Sequence, residues 1–162
     1  MRVILHDFEE QYNDSLQGKY DAVICADGKY AHCQGCFGCW TKMPATCFIQ
    51  DKLKEISRTI GNADELIIIT ENCYGAYSPA IKNVLDRSIG LSTPLSTYRG
   101  KQMHHTLRYG KHALLSVFAY GDITEREAQT FALMADRNAI NFGFETAVFH
   151  PVKSRKELET LL

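Results

Sequence analysis

Apolar positions along the chain fall into short unbroken runs separated by longer stretches of mixed polarity. Arg2-Val3-Ile4-Leu5, Asp21-Ala22-Val23-Ile24-Cys25, Glu65 to Thr70, His112 to Tyr120 and Phe144 to Phe149 each read as a strand. The third, with three consecutive isoleucines, is the clearest of the five. Runs of this kind, without in/out alternation, predict strands covered on both faces, as in a parallel sheet.

Helical spacing fills the intervals between the later strands. Asp51 predicts a capped helix carrying Leu53, Ile56 and Ile60 on one face and ended by Gly61. Ser78-Pro79 is a cap followed by proline at the first helical position, and the helix it opens turns Ile81, Val84, Leu85 and Ile89 inward before Gly90. Thr124 to Glu127 reads as a capping box ahead of a stripe of Ala128, Phe131, Ala132, Ala135 and Ala139, terminated by Gly143. A last helix starts near Ser154. Strand–helix alternation predicts right-handed crossovers and an α/β doubly wound sheet of five parallel strands with helices on both faces, in the flavodoxin-like order 2-1-3-4-5. The first crossover is short: Asp7 to Tyr20 is near the minimum for a parallel connection and leaves little room for a full helix.

Size and composition narrow the picture. The 162 residues suit one domain spanning 1–162, with no repeat or low-complexity linker to divide it. Hydrophobic residues at 45% and charged residues at 23% exclude wholesale disorder, collagen-like and coiled-coil architectures. The longest apolar runs, Leu66-Ile67-Ile68-Ile69 and Ala113-Leu114-Leu115, fall far below the roughly 20 residues of a membrane helix. Met1-Arg2 leads straight into the first strand without a signal-peptide core, so a cytoplasmic location is expected, with no membrane partner. A net charge of -1, from 18 basic and 19 acidic residues, gives no electrostatic reason to expect nucleic acid.

Six cysteines in such a chain are expected to be reduced thiols, metal ligands or redox groups. Cys33, Cys36, Cys39 and Cys47 form Cys-x-x-Cys-x-x-Cys followed by a fourth after seven residues, and Gly35 and Gly38 permit a tight loop between them. Thiolates at this spacing suit an iron–sulfur cluster or zinc. The competing reading is a loop of small thiols packing beside Trp40, since a free cysteine behaves as a small hydrophobe.

Cys33-Gln34-Gly35-Cys36-Phe37-Gly38-Cys39-Trp40, with Pro44, Cys47 and Asp51, resembles the signature of flavodoxin-like NAD(P)H-dependent FMN reductases, a superfamily that includes the iron–sulfur flavoproteins. Ser78, Lys82 and Leu85-Asp86-Arg87 resemble its helix after the third strand. His104-His105 and Arg108-Tyr109 fit its segment before the fourth. The resemblance implies an FMN-binding, homo-oligomeric oxidoreductase taking electrons from NAD(P)H, with FMN at the carboxyl ends of the strands. By position, Asn72, Cys73, Tyr74 and Gly75 would contact the isoalloxazine ring from one side, and Tyr120, Gly121 and Asp122 from the other. A [4Fe-4S] cluster on the four cysteines belongs to one branch of the superfamily. The chemistry would reside on the flavin, so no catalytic side chain is singled out.

Two departures from the family pattern stand out. Glu71 and Cys73 replace its usual proline and aromatic. More consequentially, the phosphate-binding loop after the first strand, rich in Gly, Ser and Thr in the family, reads here His6-Asp7-Phe8-Glu9-Glu10. It has three carboxylates and none of the usual donors, so the usual phosphate site is expected to be absent, with FMN held weakly or not at all.

Other residues carry weaker signals. Tyr74 and Tyr77 are either ring-stacking groups or rim packing, and Cys73 is a redox thiol or an inert small residue. Arg87 is expected to pair across a loop or subunit interface, or else to form a solvated pair with Asp86. The adjacent His104 and His105 point in different directions and so do not share a metal. Leu91 to Gly110 lacks regular periodicity and reads as a lid or a dimerisation arm. No nucleophilic triad or phosphate-loop motif is present, which leaves hydrolase readings unsupported.

Three functions follow. The first is a flavin oxidoreductase passing electrons to a quinone, flavin or protein acceptor. The second is an iron–sulfur electron carrier. The third is a degenerate flavodoxin-like domain serving as a binding module.

Overall fold

A computed structural model describes residues 1–110 and 112–162. Five parallel strands form the central sheet: β1 (Arg2–His6), β2 (Ala22–Cys25), β3 (Glu65–Glu71), β6 (His112–Tyr120) and β7 (Phe144–Val152). Their order across the sheet is β2-β1-β3-β6-β7. A separate antiparallel hairpin, β4 (Ser92–Arg99) with β5 (Gln102–Leu107), lies between β3 and β6 in the chain. The sequence predicts five strands; the hairpin brings the total to seven among the described residues, because its largely exposed residues give no buried run to detect.

The apolar runs divide by parity between two cores. Val3, Leu5, Leu66, Ile68, Leu115 and Val117 face one side, under α3 (Ile56–Gly61), α4 (Pro79–Arg87) and α5 (Glu125–Phe142). Ile4, Ile67, Ile69 and Phe118 face the other, under α1 (Tyr12–Leu16) and α6 (Arg155–Leu161). Register keeps each set aligned, with Val3 opposite Leu66, Ile4 opposite Ile67 and Ile67 opposite Ser116. Each fully buried aliphatic side chain contributes about 1.5–3 kcal/mol of transfer free energy, which makes the two-sided burial of β1 and β3 the main organising force.

Helix ends follow the local chemistry. Ser78 accepts the Ile81 amide at the start of α4, and Thr124 and Glu127 close a reciprocal capping box on α5, which stops at Gly143. Ser154 caps α6. The helix expected from Asp51 starts later, at Ile56, because Asp51 does not cap it. One carboxylate oxygen accepts the Leu53 amide at 3.0 Å, and both oxygens bind Arg87. The short first crossover holds only the five residues of α1.

At about 1.5 Å per residue, α5 runs roughly 27 Å from the carboxyl end of β6 to the opposite edge of the sheet. The hairpin packs at that far edge. The Arg99 guanidinium donates to the Ile140 carbonyl, Arg137 donates to Gln102 at 3.0 Å, and His104 Nδ1 meets Asn141 Oδ1 at 3.1 Å. The interval from Leu91 to Gly110 is therefore not a lid over the carboxyl ends of the strands. Its partner His105 turns the other way, onto Trp40 at 4.6 Å, so the two histidines indeed diverge.

Candidate functional site

The carboxyl ends of β1, β3 and β6 meet at the point where strand order reverses, which is where open α/β sheets bind ligands. Three loops build the crevice. The first follows β1 and carries Asp7 and Phe8. Asp7 Oδ2 accepts the Glu71 amide at 2.9 Å and lies 3.3 Å from the Thr70 hydroxyl, while Oδ1 accepts the Tyr120 hydroxyl at 2.9 Å. One carboxylate thus ties β1 to the ends of both β3 and β6. Phe8 stacks on the Tyr120 ring at 4.8 Å and meets Tyr12 edge-on at 4.8 Å, which fixes the loop from the other side. Burial, followed by the fields of Asp7 and Glu71, pushes the Tyr120 hydroxyl well above the ordinary tyrosine range, so it stays protonated and donating.

The second loop, after β3, is held by Asn72. Its amide donates to the Tyr120 carbonyl and its side-chain nitrogen to the Asp122 carbonyl, each at 2.8 Å, while its side-chain oxygen accepts the Gly75 amide at 2.9 Å. Tyr74, in the left-handed region at φ 54°, stands at the tip of this turn, 91% exposed. Gly75 allows the turn to sit on α5: at φ 78°, a Cβ there would come within 3.0 Å of the Glu127 backbone. The sequence-predicted set Asn72, Cys73, Tyr74, Gly75, Tyr120, Gly121 and Asp122 is therefore brought together as two loops bonded to each other. Tyr77 is not part of the rim. It is buried, edge-on to Phe131 at 5.1 Å, with its oxygen accepting from Asn138. Burial raises its hydroxyl pKa to about 12.

The third wall follows β2. A cleft of about 460 Å³ separates Asp7, Glu9 and Glu10 from Asp27 and Lys29. Lys52 pairs with Asp27 at 2.5 Å, and Lys29 lies 3.7 Å from Glu10. Burial tends to raise the Asp27 carboxyl pKa, but the Lys52 and Lys29 contacts outweigh it and hold the group below the usual range. Asp7 and its links to Thr70, Glu71 and Tyr120 had no signature in the sequence beyond an acid directly after a strand.

The cysteine segment lies further along α4. Arg87, 2% exposed, donates to Asp51 through both terminal nitrogens, at 2.9 and 2.8 Å, and to the Ala31 carbonyl at 2.7 Å. This is the loop-interface pairing expected of Arg87; Asp86 instead pairs with Lys82 at 2.6 Å. Beyond it, Trp40 donates to the Ile89 carbonyl and Arg108 to the Trp40 carbonyl, at 2.8 and 2.7 Å. Cys39 is buried against Gly90, Cys36 is exposed, and Cys33 and Cys47 are half-buried. Burial, and then the neighbouring thiols Cys47, Cys33 and Cys36, push the Cys39 thiol up. Cys33, Cys36, Cys39 and Cys47 thus share one neighbourhood. Even so, among the described residues no three histidine, cysteine or acidic side chains come together in a metal-holding group. The reason is local: α2 (Gly38–Thr41) begins after Phe37 at φ 54° and carries Cys39 inward, while Cys36 stays on the solvent side. His32 is exposed, and Cys25 packs at the end of β2 with its thiol toward the Phe8 carbonyl.

FMN, which the sequence resemblance implies, ends in a phosphate dianion. Doubly wound folds hold such a group with backbone amides at the helix after β1. Among the described residues, the amides that open α1 do not fit it. The amides of Tyr12, Asn13 and Asp14 turn back onto the carbonyls of Glu9, Glu10 and Gln11 at 2.9–3.2 Å, and α1 is only five residues long. The strand-end amide of Glu71 is taken by Asp7. A phosphate charge 4 Å from one such carboxylate would be repelled by about 4 kcal/mol at an effective dielectric near 20.

Comparison with known proteins then places the chain. No curated protein sequence matches it. Among solved structures it is similar to the NAD(P)H:quinone oxidoreductase of Methanothermobacter marburgensis, with TM-score 0.55 and 12% identity over 96% of this chain and 87% of that one. It is also similar to the flavoenzyme NAD(P)H:(acceptor) oxidoreductase FerB of Paracoccus denitrificans, with TM-score 0.51 and 13% identity over 94% and 76%. Against the Flv1 flavodiiron core of Synechocystis sp. PCC6803 the TM-score is 0.42 at 14% identity, and the chain spans 32% of that protein's length. The likenesses to the M. marburgensis and P. denitrificans structures establish the shared fold. Residues 26–123, from the end of β2 through the loop after β6, match the NADPH-dependent FMN reductase family, and the chain belongs to that family.

Proposed function

We propose that the chain is an NAD(P)H-dependent flavin oxidoreductase working at the carboxyl ends of its sheet, with a quinone, a flavin or a protein as electron acceptor. The observation that carries this reading is the family match, whose residues 26–123 include both bonded loops of the crevice. The named activities of the M. marburgensis and P. denitrificans structures agree with it. A flavin supplies hydride acceptance and electron transfer when bound. The chain's own contribution is placement. Asn72 locks the β3 loop to the β6 loop, and Tyr74 presents an exposed aromatic face at the tip, suited to a planar ring. Tyr120, held protonated beside Asp7, is a fixed polar wall. We further propose that the protein acts as a homo-oligomer through the hairpin. Tyr98 and Met103 are a cross-strand pair on the hairpin, 73% and 64% exposed, and Leu95 on the same strand as Tyr98 is 69% exposed.

The test is nicotinamide oxidation with riboflavin, FMN and a soluble quinone, using NADH and NADPH in turn. Turnover with at least one pair is expected, and Tyr74→Ala should raise the acceptor KM about tenfold while changing kcat less than about threefold. Absence of turnover with every pair, together with absence of flavin binding, would overturn the reading. Light scattering of the purified chain tests the oligomer; a monomer at every concentration would remove that part.

A further inference from the structure

We infer that the cavity between α4, α5 and the hairpin is a second binding site, for an uncharged planar aromatic carboxamide whose ring lies against Trp40 and whose amide meets Tyr77 and Asn138. Asn138 lies roughly 20 Å along α5 from Thr124, at about 1.5 Å per residue. The site is therefore separate from the strand-end crevice and does not depend on the flavin reading.

Three observations carry it. First, the cavity has the size and the apolar lining of a small-molecule site. It encloses about 370 Å³, with Leu85, Met134 and Phe142 among its walls. A flat ring packs well against such a mix of thioether, aliphatic and aromatic groups. Second, Trp40 is already held as a fixed wall. Its indole N–H is spent on the Ile89 carbonyl at 2.8 Å, and its ring packs against His105 at 4.6 Å and Phe37 at 4.9 Å. A ring fixed before binding loses little freedom when a ligand stacks on it. Third, the lining holds an unspent donor beside an unspent acceptor. Tyr77, 5% exposed, accepts the Asn138 side-chain amide at 3.2 Å. Among the described residues the Tyr77 O–H finds no acceptor and Asn138 Oδ1 finds no donor. Burial keeps the phenol protonated, with its pKa raised to about 12. A carboxamide answers both groups: its carbonyl accepts the Tyr77 proton and its N–H donates to Asn138 Oδ1. The lysine and aspartate of the lining, Lys82 and Asp86, pair with each other at 2.6 Å. A charged ligand would be desolvated there without a free counter-ion, so the site favours a neutral one.

Trp40 is the single tryptophan of the chain, so its fluorescence reads occupancy of this cavity in the full, unmodified protein. Titration with benzamide should give a saturable change with a dissociation constant on the order of 1 mM. Benzoate, the same ring carrying a carboxylate, should bind at least about fivefold more weakly. Tyr77→Phe and Asn138→Leu should each weaken benzamide about tenfold. Circular dichroism checks that each variant is folded, and Tyr77→Phe, which keeps the ring edge-on to Phe131, carries the test if Asn138→Leu does not fold. Absence of a saturable change up to about 20 mM benzamide would overturn the inference. So would benzoate binding as tightly as benzamide, or a folded Tyr77→Phe binding benzamide as tightly as the unmodified chain. None of these outcomes bears on the flavin reading.

Discussion

Two aspartates hold two parts of this molecule together, and they do so under opposite electrostatic conditions. Asp51 grips a guanidinium that is 2% exposed, so a negative and a positive group cancel inside the α4–loop contact. Asp7 grips an amide and two hydroxyls, so β1, β3 and β6 are tied together through neutral donors. The hydrogen-bond counts are similar. The consequences differ, because a buried guanidinium depends on its counter-charge and neutral donors do not. The Asp51 knot is therefore expected to matter more to stability than Asp7 does.

That contrast sets the order of expected effects. Asp51→Asn removes the counter-charge of a buried guanidinium and should cost about 3–5 kcal/mol, read by urea unfolding. The Arg87 hydrogen bonds hold the Asp51 carboxyl below its ordinary range, against the opposing effect of burial. A group whose pKa is lowered on folding stabilises above its unfolded value of about 3.9 and loses that stabilisation as pH falls through the folded value. The unmodified protein should therefore lose stability more steeply than Asp51→Asn as pH is lowered below about 4. Equal slopes would mean the pair is not linked to folding.

Gly90→Ala probes the same region by packing. A Cβ there would lie 2.8 Å from Ser57 Oγ and 3.2 Å from the Ala45 Cα, so about 1–3 kcal/mol of destabilisation is expected, measured as a shift in the unfolding midpoint. An unchanged midpoint would show that the cysteine segment yields easily and is not clamped by Arg87. Asp7→Asn keeps the shape and most of the hydrogen bonding, so its stability cost should be near 1 kcal/mol. A loss as large as that of Asp51→Asn would collapse the distinction between the two aspartates. The smallest effect belongs to Asp86→Asn. Its partner Lys82 is an exposed i,i+4 neighbour, and loss of the pair should change stability by under about 0.5 kcal/mol.

Legibility in the sequence followed the range of the interactions. The Ser78 and Thr124–Glu127 caps lie within three residues of the groups they satisfy, and both were readable. So were β1, β3 and β6, since burial on two faces writes itself as an unbroken apolar run. Asp51 was misread as a cap because an aspartate before an apolar helix looks the same whether it serves that helix or an arginine 36 residues on. The hairpin was missed because its strands are largely exposed. In the candidate site, the loops Asn72–Gly75 and Tyr120–Asp122 were identifiable from family resemblance, but their bonding to each other was not.

The sequence by itself determined the strand–helix alternation, the covered sheet, the membership of a redox family and the unusual acidity of the first loop. Periodicity, composition and local capping are properties of neighbouring residues, and they survive without coordinates. Only the tertiary structure decided that Asp7 spans 64 positions to the Glu71 amide and 113 to Tyr120, and that four clustered cysteines do not converge on one centre. Those outcomes depend on which side chains parallel strands and crossing helices deliver to the same point, and separation along the chain carries no trace of that.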